Sequence, residues 1–156
     1  VQPTLFFDVI AHVGTSLLVG GGIYASAFGS YGAETNRASV GYQRYDFGGR
    51  VSTGFDVGPV ATRLLAHLRV GGSAIVGNGR TRGMINEQTR SETVGGWFIG
   101  LGIDLRQPLL AGLELYLDVN ADLLPAPATF LAFGETLVSE GPLRFAARLG
   151  FAWRIE

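Results

Sequence analysis

One pattern limits this chain more than any other: a strict two-residue alternation in which one face carries no charge. Successive side chains of a strand point to opposite sides, so such alternation marks a strand whose two faces meet different surroundings. Tyr45, Phe47, Val51, Phe55 and Val57 share one face, against Arg44, Asp46, Arg50, Ser52 and Asp56 on the other. Leu64, Leu68, Val70 and Val76 repeat the pattern against Arg63, His67, Arg69 and Ser73. Trp97, Ile99, Leu101, Ile103 and Leu105 oppose Gly100, Gly102, Asp104 and Arg106. Leu113, Leu115, Leu117 and Val119 then oppose Glu114, Tyr116, Asp118, Asn120 and Asp122. The last run sets Phe145, Leu149, Phe151, Trp153 and Ile155 against Arg144, Arg148 and Arg154.

Three weaker segments, 5–13, 17–28 and 128–138, bring the expected count to eight strands. Short connections are expected at 14–16, 58–59, 107–111 and 139–141, and longer polar ones at 29–40 and 77–92. That is hairpin after hairpin, an up-and-down antiparallel meander without helical crossovers. Its 156 residues suit one domain spanning 1–156. Arg and acidic residues interrupt every stretch long enough to cross a bilayer as a helix. The 24 glycines also weigh against helices.

Two solvents suit such a meander. A soluble up-and-down barrel turns its apolar face inward around a ligand, whereas a transmembrane barrel turns it outward to lipid. A lipid face must exclude charge, because an Arg at the bilayer midplane costs about 2–4 kcal/mol, and it places aromatic rings at the interfaces. The five clear faces are charge-free, with Tyr45, Phe55, Trp97, Phe151 and Trp153 at outlying positions. An eight-stranded interior is also too narrow for so many large apolar side chains. The expected arrangement is therefore a transmembrane β-barrel with its charges inside. Arg44, Asp46, Arg50 and Asp56 enter that network from one strand, and Arg63, His67 and Arg69 from the next. Asp104, Arg106, Glu114, Asp118, Arg144 and Arg148 complete it, with Arg63 and Arg69 expected to pair with Asp46, Asp56 and Asp104.

On these alternating runs, and on the closing stretch from Leu143 to Ile155, the chain resembles the small bacterial outer-membrane β-barrels of the OmpA and OmpX type. The resemblance covers essentially the whole chain and is architectural. The family's last strand usually ends on an aromatic residue, whereas here Ile155 and Glu156 follow Trp153. It implies the outer membrane of a Gram-negative cell, a structural role in the cell envelope, and outer-membrane lipid as the surrounding partner.

Little points to chemistry. The formal charge of −1, without a basic tract, argues against nucleic acid as a partner. With no cysteine there is neither a thiolate ligand nor a disulfide. His12 and His67 stand apart without a metal-ligand cluster, so no metal and no cofactor is expected. Ser16, Ser26, Ser52 and Ser73 have no spacing to a His and an acid that marks a lipid hydrolase, which leaves the enzyme as a rival reading and a non-enzyme as the expectation. Glu114, Asp118 and Asp122, spaced by four, are too far apart along a strand to share one cation. Gly20-Gly21-Gly22, Gly71-Gly72 and Gly95-Gly96 lack the context of a phosphate loop and mark close packing.

The first four residues carry no basic run and no initiating Met, so a mature product that has already lost its export signal is expected. With eight strands both termini fall on one side, together with 29–40 and 77–92. Arg80, Arg82, Glu87 and Arg90 make that side the expected contact for an envelope protein partner. A six-strand count, without 5–13 and 128–138, is the competing expectation.

Overall fold

The computed structural model describes residues 4–34, 38–59, 62–81, 89–110, 112–132 and 135–153, all strand, turn or irregular connection. Seven strands form one antiparallel sheet in the order β1 (Thr4–Val13), β2 (Leu17–Glu34), β3 (Ala38–Val57), β4 (Thr62–Thr81), β5 (Thr89–Leu110), β6 (Leu113–Leu123) and β9 (Leu143–Trp153). A separate hairpin, β7 (Thr129–Ala132) with β8 (Glu135–Ser139), lies in the connection between β6 and β9. The sheet is all-β and antiparallel but not closed: among the described residues no ladder joins β1 to β9.

Several expectations change here. Residues 128–138 do not make an eighth wall strand; they fold into the β7–β8 hairpin, because Pro125 and Pro127 break the run that leaves β6. Most of 29–40 and 77–92 is strand, since the β2–β3 and β4–β5 ladders continue to Glu34–Ser39 and Arg80–Thr89. Residues 35–37 and 82–88, which include Arg82 and Glu87, lie outside the described residues, as do residues 154–156 and the side chains of Arg90 and Trp153. With seven strands the termini part company. Thr4 opens β1 at the end of the sheet where the long connections lie, here the loop end; Trp153 closes β9 at the opposite, turn end.

The turns at that opposite end are short because glycines at φ 70°, 72° and 78° (Gly14, Gly58, Gly112) reverse the chain in the left-handed region. Strand lengths divide the sheet into two storeys. β1, β6 and β9 hold 10, 11 and 11 residues, whereas β3, β4 and β5 hold 20, 20 and 22. Thr4 pairs with Ser26, Ser26 with Asp46 and Asp46 with Ser73, so all seven strands share the lower storey and β2 to β5 rise alone above it.

Curling carries the edges around. Phe6 of β1 meets Tyr116 of β6 edge to face at 4.8 Å, and Arg144 of β9 reaches Asp46 of β3 at 2.7 Å. The resulting inside is polar. Among the described residues 14 polar or charged side chains are buried against 10 hydrophobic ones, while Leu5, Leu149 and Leu101 are 81%, 71% and 66% exposed. This inverts the ordinary globular pattern, in which charges are almost never fully buried. Some apolar groups do bury inward: Val40 and Ile75 of the upper storey pack on Ala128, and Tyr24 and Phe98, at the top of the lower one, on Leu124, so the 124–142 connection folds across the inner face.

Candidate functional site

The inward positions form a ladder of ion pairs running the height of the lower storey. At the turn end His12 Nε2 lies 3.0 Å from Asp56 Oδ2, a contact half open to solvent. Arg63 bridges inward from there, 3.7 Å from Asp56 and 3.4 Å from Glu114. Above it Asp8 accepts from Arg50 Nε at 2.9 Å and from Arg106 Nη2 at 2.6 Å. Arg106 also donates to Asp104 at 2.9 Å, and Arg50 lies 3.2 Å from the same carboxylate. The Phe6 ring packs against this layer, its centroid 4.9 Å from the Arg50 guanidinium carbon and 5.4 Å from that of Arg106.

The next layer joins β4, β6 and β9. Arg148 donates to Asp118 at 2.6 Å, as Asn120 does at 2.9 Å, and His67 Nε2 stands 3.5 Å from the other Asp118 oxygen. Higher still, Asp122 accepts from Arg69 Nε at 2.7 Å and from Arg144 Nη2 at 2.7 Å, while Arg69 also donates to Asn120 at 2.6 Å. Arg44 closes the stack, 2.9 Å from Asp46 and 2.5 Å from Glu140 of the folded-over connection.

Two of the pairs that pass over a strand do so directly across a glycine. Asp8 stands opposite Gly22, and Gly22 opposite Arg50; likewise Arg69 stands opposite Gly100, and Gly100 opposite Asp122. A Cβ at Gly22 would run into the Asp8 carboxylate, and one at Gly100 into that of Asp122. Glycine on the middle strand is what lets side chains two strands apart touch.

Among the described residues, every member of the expected charge network is buried or half-buried on the inner face except Asp56, which is exposed at the rim. Arg63 meets Asp56 as expected, but the other partners differ. Arg69 pairs with Asp122, not with Asp46, Asp56 or Asp104, and Asp104 is held by Arg106 and Arg50. Curling, which brings second neighbours together over glycine, decides this. Asp122, read from the sequence as part of an acidic row with Glu114 and Asp118, belongs to the network, and so do Asp8, Phe6 and Glu140, which were not counted in it. Asp8 and Asp122 had the same signal as the rest, a charge opposite an apolar face, whereas Glu140, in a connection, had none. Tyr45, Phe55, Trp97 and Phe151 all point outward and are exposed.

His67, Asp104 and Asp118 bring donor atoms within 4.8 Å of one another, the spacing of a metal site. Arg50, Arg106 and Arg148 already match Asp104, Asp118 and the neighbouring Asp8, so a divalent ion there would add positive charge to a balanced, buried cluster. Ser52 stands opposite His67 in the β3–β4 ladder, yet His67 Nδ1 has no hydrogen-bond partner, and its Nε2 faces Asp118. No serine-activating relay is formed. The site is thus an ion-paired interior in an apolar-coated, open antiparallel sheet. No protein family, curated protein or solved structure matches the chain.

Proposed function

We propose that this chain is the wall of a bacterial outer-membrane β-barrel, a structural or scaffolding element of the envelope with a filled, charged interior and no open pore. The observation that carries this reading is the inversion of the two faces. A charge-free band of exposed Phe7, Val51, Leu101, Val119 and Leu149 surrounds a stack of buried arginines and carboxylates.

The height of the band supports it. Phe55 lies opposite Leu64 at the turn end, and Tyr45 opposite Ala74 farther up the same ladder. Those ten steps along β4 span about 33 Å at ~3.3 Å per residue, or about 25 Å across a membrane for a strand tilted by about 40°. That equals the apolar height of an outer-membrane barrel. The lower-storey strands β1, β6 and β9 likewise match the ~9–11 residues a tilted strand needs to cross.

Above Tyr45 and Trp97 the extension of β2 to β5 carries Glu34, Ser39, Asn78, Arg80 and Glu92. In this reading it stands in water and offers contact to an envelope partner. A soluble ligand-binding barrel would need its large apolar side chains inside, where this sheet holds charges. A lipid-modifying enzyme would need its nucleophile facing lipid, whereas Ser26 and Ser73 are buried inside. The test is refolding of the purified chain into detergent and lipid vesicles. Co-flotation with the vesicles, heat-modifiable gel mobility and no conductance across a planar bilayer are expected. A monomer that stays in the aqueous phase without detergent would remove the proposal.

A further inference from the structure

We propose that the gap between β1 and β9 is a receptor for one β-strand, lying outside residues 1–156, that runs antiparallel to both edges and carries inward carboxylates four residues apart. Direction comes first. In a seven-strand meander the first and last strands run the same way, so β1 and β9 cannot close on each other with the antiparallel ladder used everywhere else in the sheet. One strand running from the turn end to the loop end is antiparallel to both. The 124–142 connection cannot supply it, because it leaves β6 and enters β9 at the same end and so can cross only an even number of times.

Space and chemistry agree. A cleft of about 670 Å³ opens between β1 and the turn end of β9, bordered by Phe7, Val9 and His12 on one side and Phe151 on the other, with Arg63 and Arg106 behind. Two strand edges with unpaired backbone groups template further pairing. On the inner face of β9 the buried Nε and Nη2 of Arg148 and Nη1 of Arg144 have no hydrogen-bond acceptor. Arg148 is held from the β6 side by Asp118, and Arg144 by Asp122 of β6 and Asp46 of β3; Asp118 and Asp122 stand directly opposite them in the ladder. The occupant that completes them repeats on the open side what β6 provides: acids at a spacing of four, apolar residues between, and the same strand direction.

This defines its own probe, a synthetic peptide with the sequence of residues 113–123, LELYLDVNADL. The full 156-residue chain is refolded in detergent micelles with and without it, and backbone amide exchange is followed along 4–13 and 143–153. Protection of both edges at once on adding peptide is expected, with at least tenfold weaker binding by the D118N/D122N version of the peptide. Protection of one edge, or of neither, overturns the proposal, as does dimerisation of the chain in place of peptide binding.

A second measurement needs no peptide. The chain has no cysteine, so Phe151→Cys combined in turn with Phe7→Cys or Val9→Cys, residues on the two sides of the cleft, reports the seam directly. A disulfide needs Cα atoms within about 7 Å, and a gap one strand wide holds them about 10 Å apart. No oxidation, but linkage by a ~10 Å bifunctional reagent, is expected. Ready disulfide formation would mean that β1 and β9 close on each other, and the receptor would not exist. Neither readout depends on lipid, so failure here leaves the vesicle result, and the reading it tests, untouched.

Discussion

Arg69 on β4 and Asp122 on β6 are bonded across the strand between them, Nε to Oδ1 at 2.7 Å, with side chains 2% and 0% exposed. Gly100 of β5 lies opposite both and leaves the passage open. Breaking a buried pair costs about 3–5 kcal/mol, because one charge remains without compensation. Gly100→Leu, which inserts a side chain into this passage, is expected to lower stability by that order, and Gly22→Leu to do the same to Asp8 and Arg50. Gly21→Leu is the control, since its Cβ would find only the Arg50 carbonyl oxygen, at 3.5 Å, and roughly 0.5 kcal/mol or less is expected. Urea unfolding in micelles, followed by the fluorescence of Trp97 and Trp153, compares the three.

The two members of that pair are not equivalent. Asp122 also holds Arg144 at 2.7 Å, so Asp122→Leu leaves two buried guanidiniums without it, whereas Arg69→Leu leaves Asp122 still paired. The aspartate variant is expected to be the less stable by about 1–3 kcal/mol, and adding Arg69→Leu to it should recover part of the loss. Equal costs, or a double variant worse than both singles, would contradict the shared-acceptor geometry.

Outward positions separate the two solvents. Leu101 is 66% exposed within the apolar band, and Leu101→Arg is expected to cost about 2–4 kcal/mol in vesicles if that band faces lipid. Asn78→Arg, above the band, should change stability by under about 0.5 kcal/mol. In a soluble barrel both would be harmless, so an innocuous Leu101→Arg in bilayers counts against the membrane reading.

At the loop end Arg44 Nη1 and Glu140 Oε1, 2.5 Å apart, tie the 124–142 connection to the wall. A hydrogen bond to a charged group contributes about 1.5–3 kcal/mol. Glu140→Ala should therefore speed chymotryptic cleavage within 129–139 by roughly tenfold or more, with the sheet itself left intact. Unchanged cleavage would show that Leu124 and Ala128 hold the connection without the ion pair.

The rim pair is the weak one. His12 and Asp56 have side chains 51% and 30% exposed, and such contacts contribute under about 1 kcal/mol. His12→Ala is accordingly expected to unfold within about 1 kcal/mol of the parent in the same urea titration, far from the losses at Asp122.

By itself the sequence determined strand identity and facing, because a period of two is written locally. Leu68 and Arg69, or Leu105 and Arg106, can only point to opposite sides of a strand, and neither assignment needs the rest of the molecule. It also contained enough to separate a charge-free face from a charged one. Which charges meet was decided by the tertiary structure. Arg69 finds Asp122 rather than Asp104 because the sheet curls and Gly100 leaves a gap, and neither curvature nor second-neighbour distance has a local signature. The strand count failed for a related reason. Residues 128–138 alternate well enough to pass for a wall strand, yet β9 pairs with β6, and the segment between them is left to fold as a hairpin, with Ala128 just before it against Val40 and Ile75. Pairing is a competition among distant segments for the same edge, and only the folded chain shows which of them won.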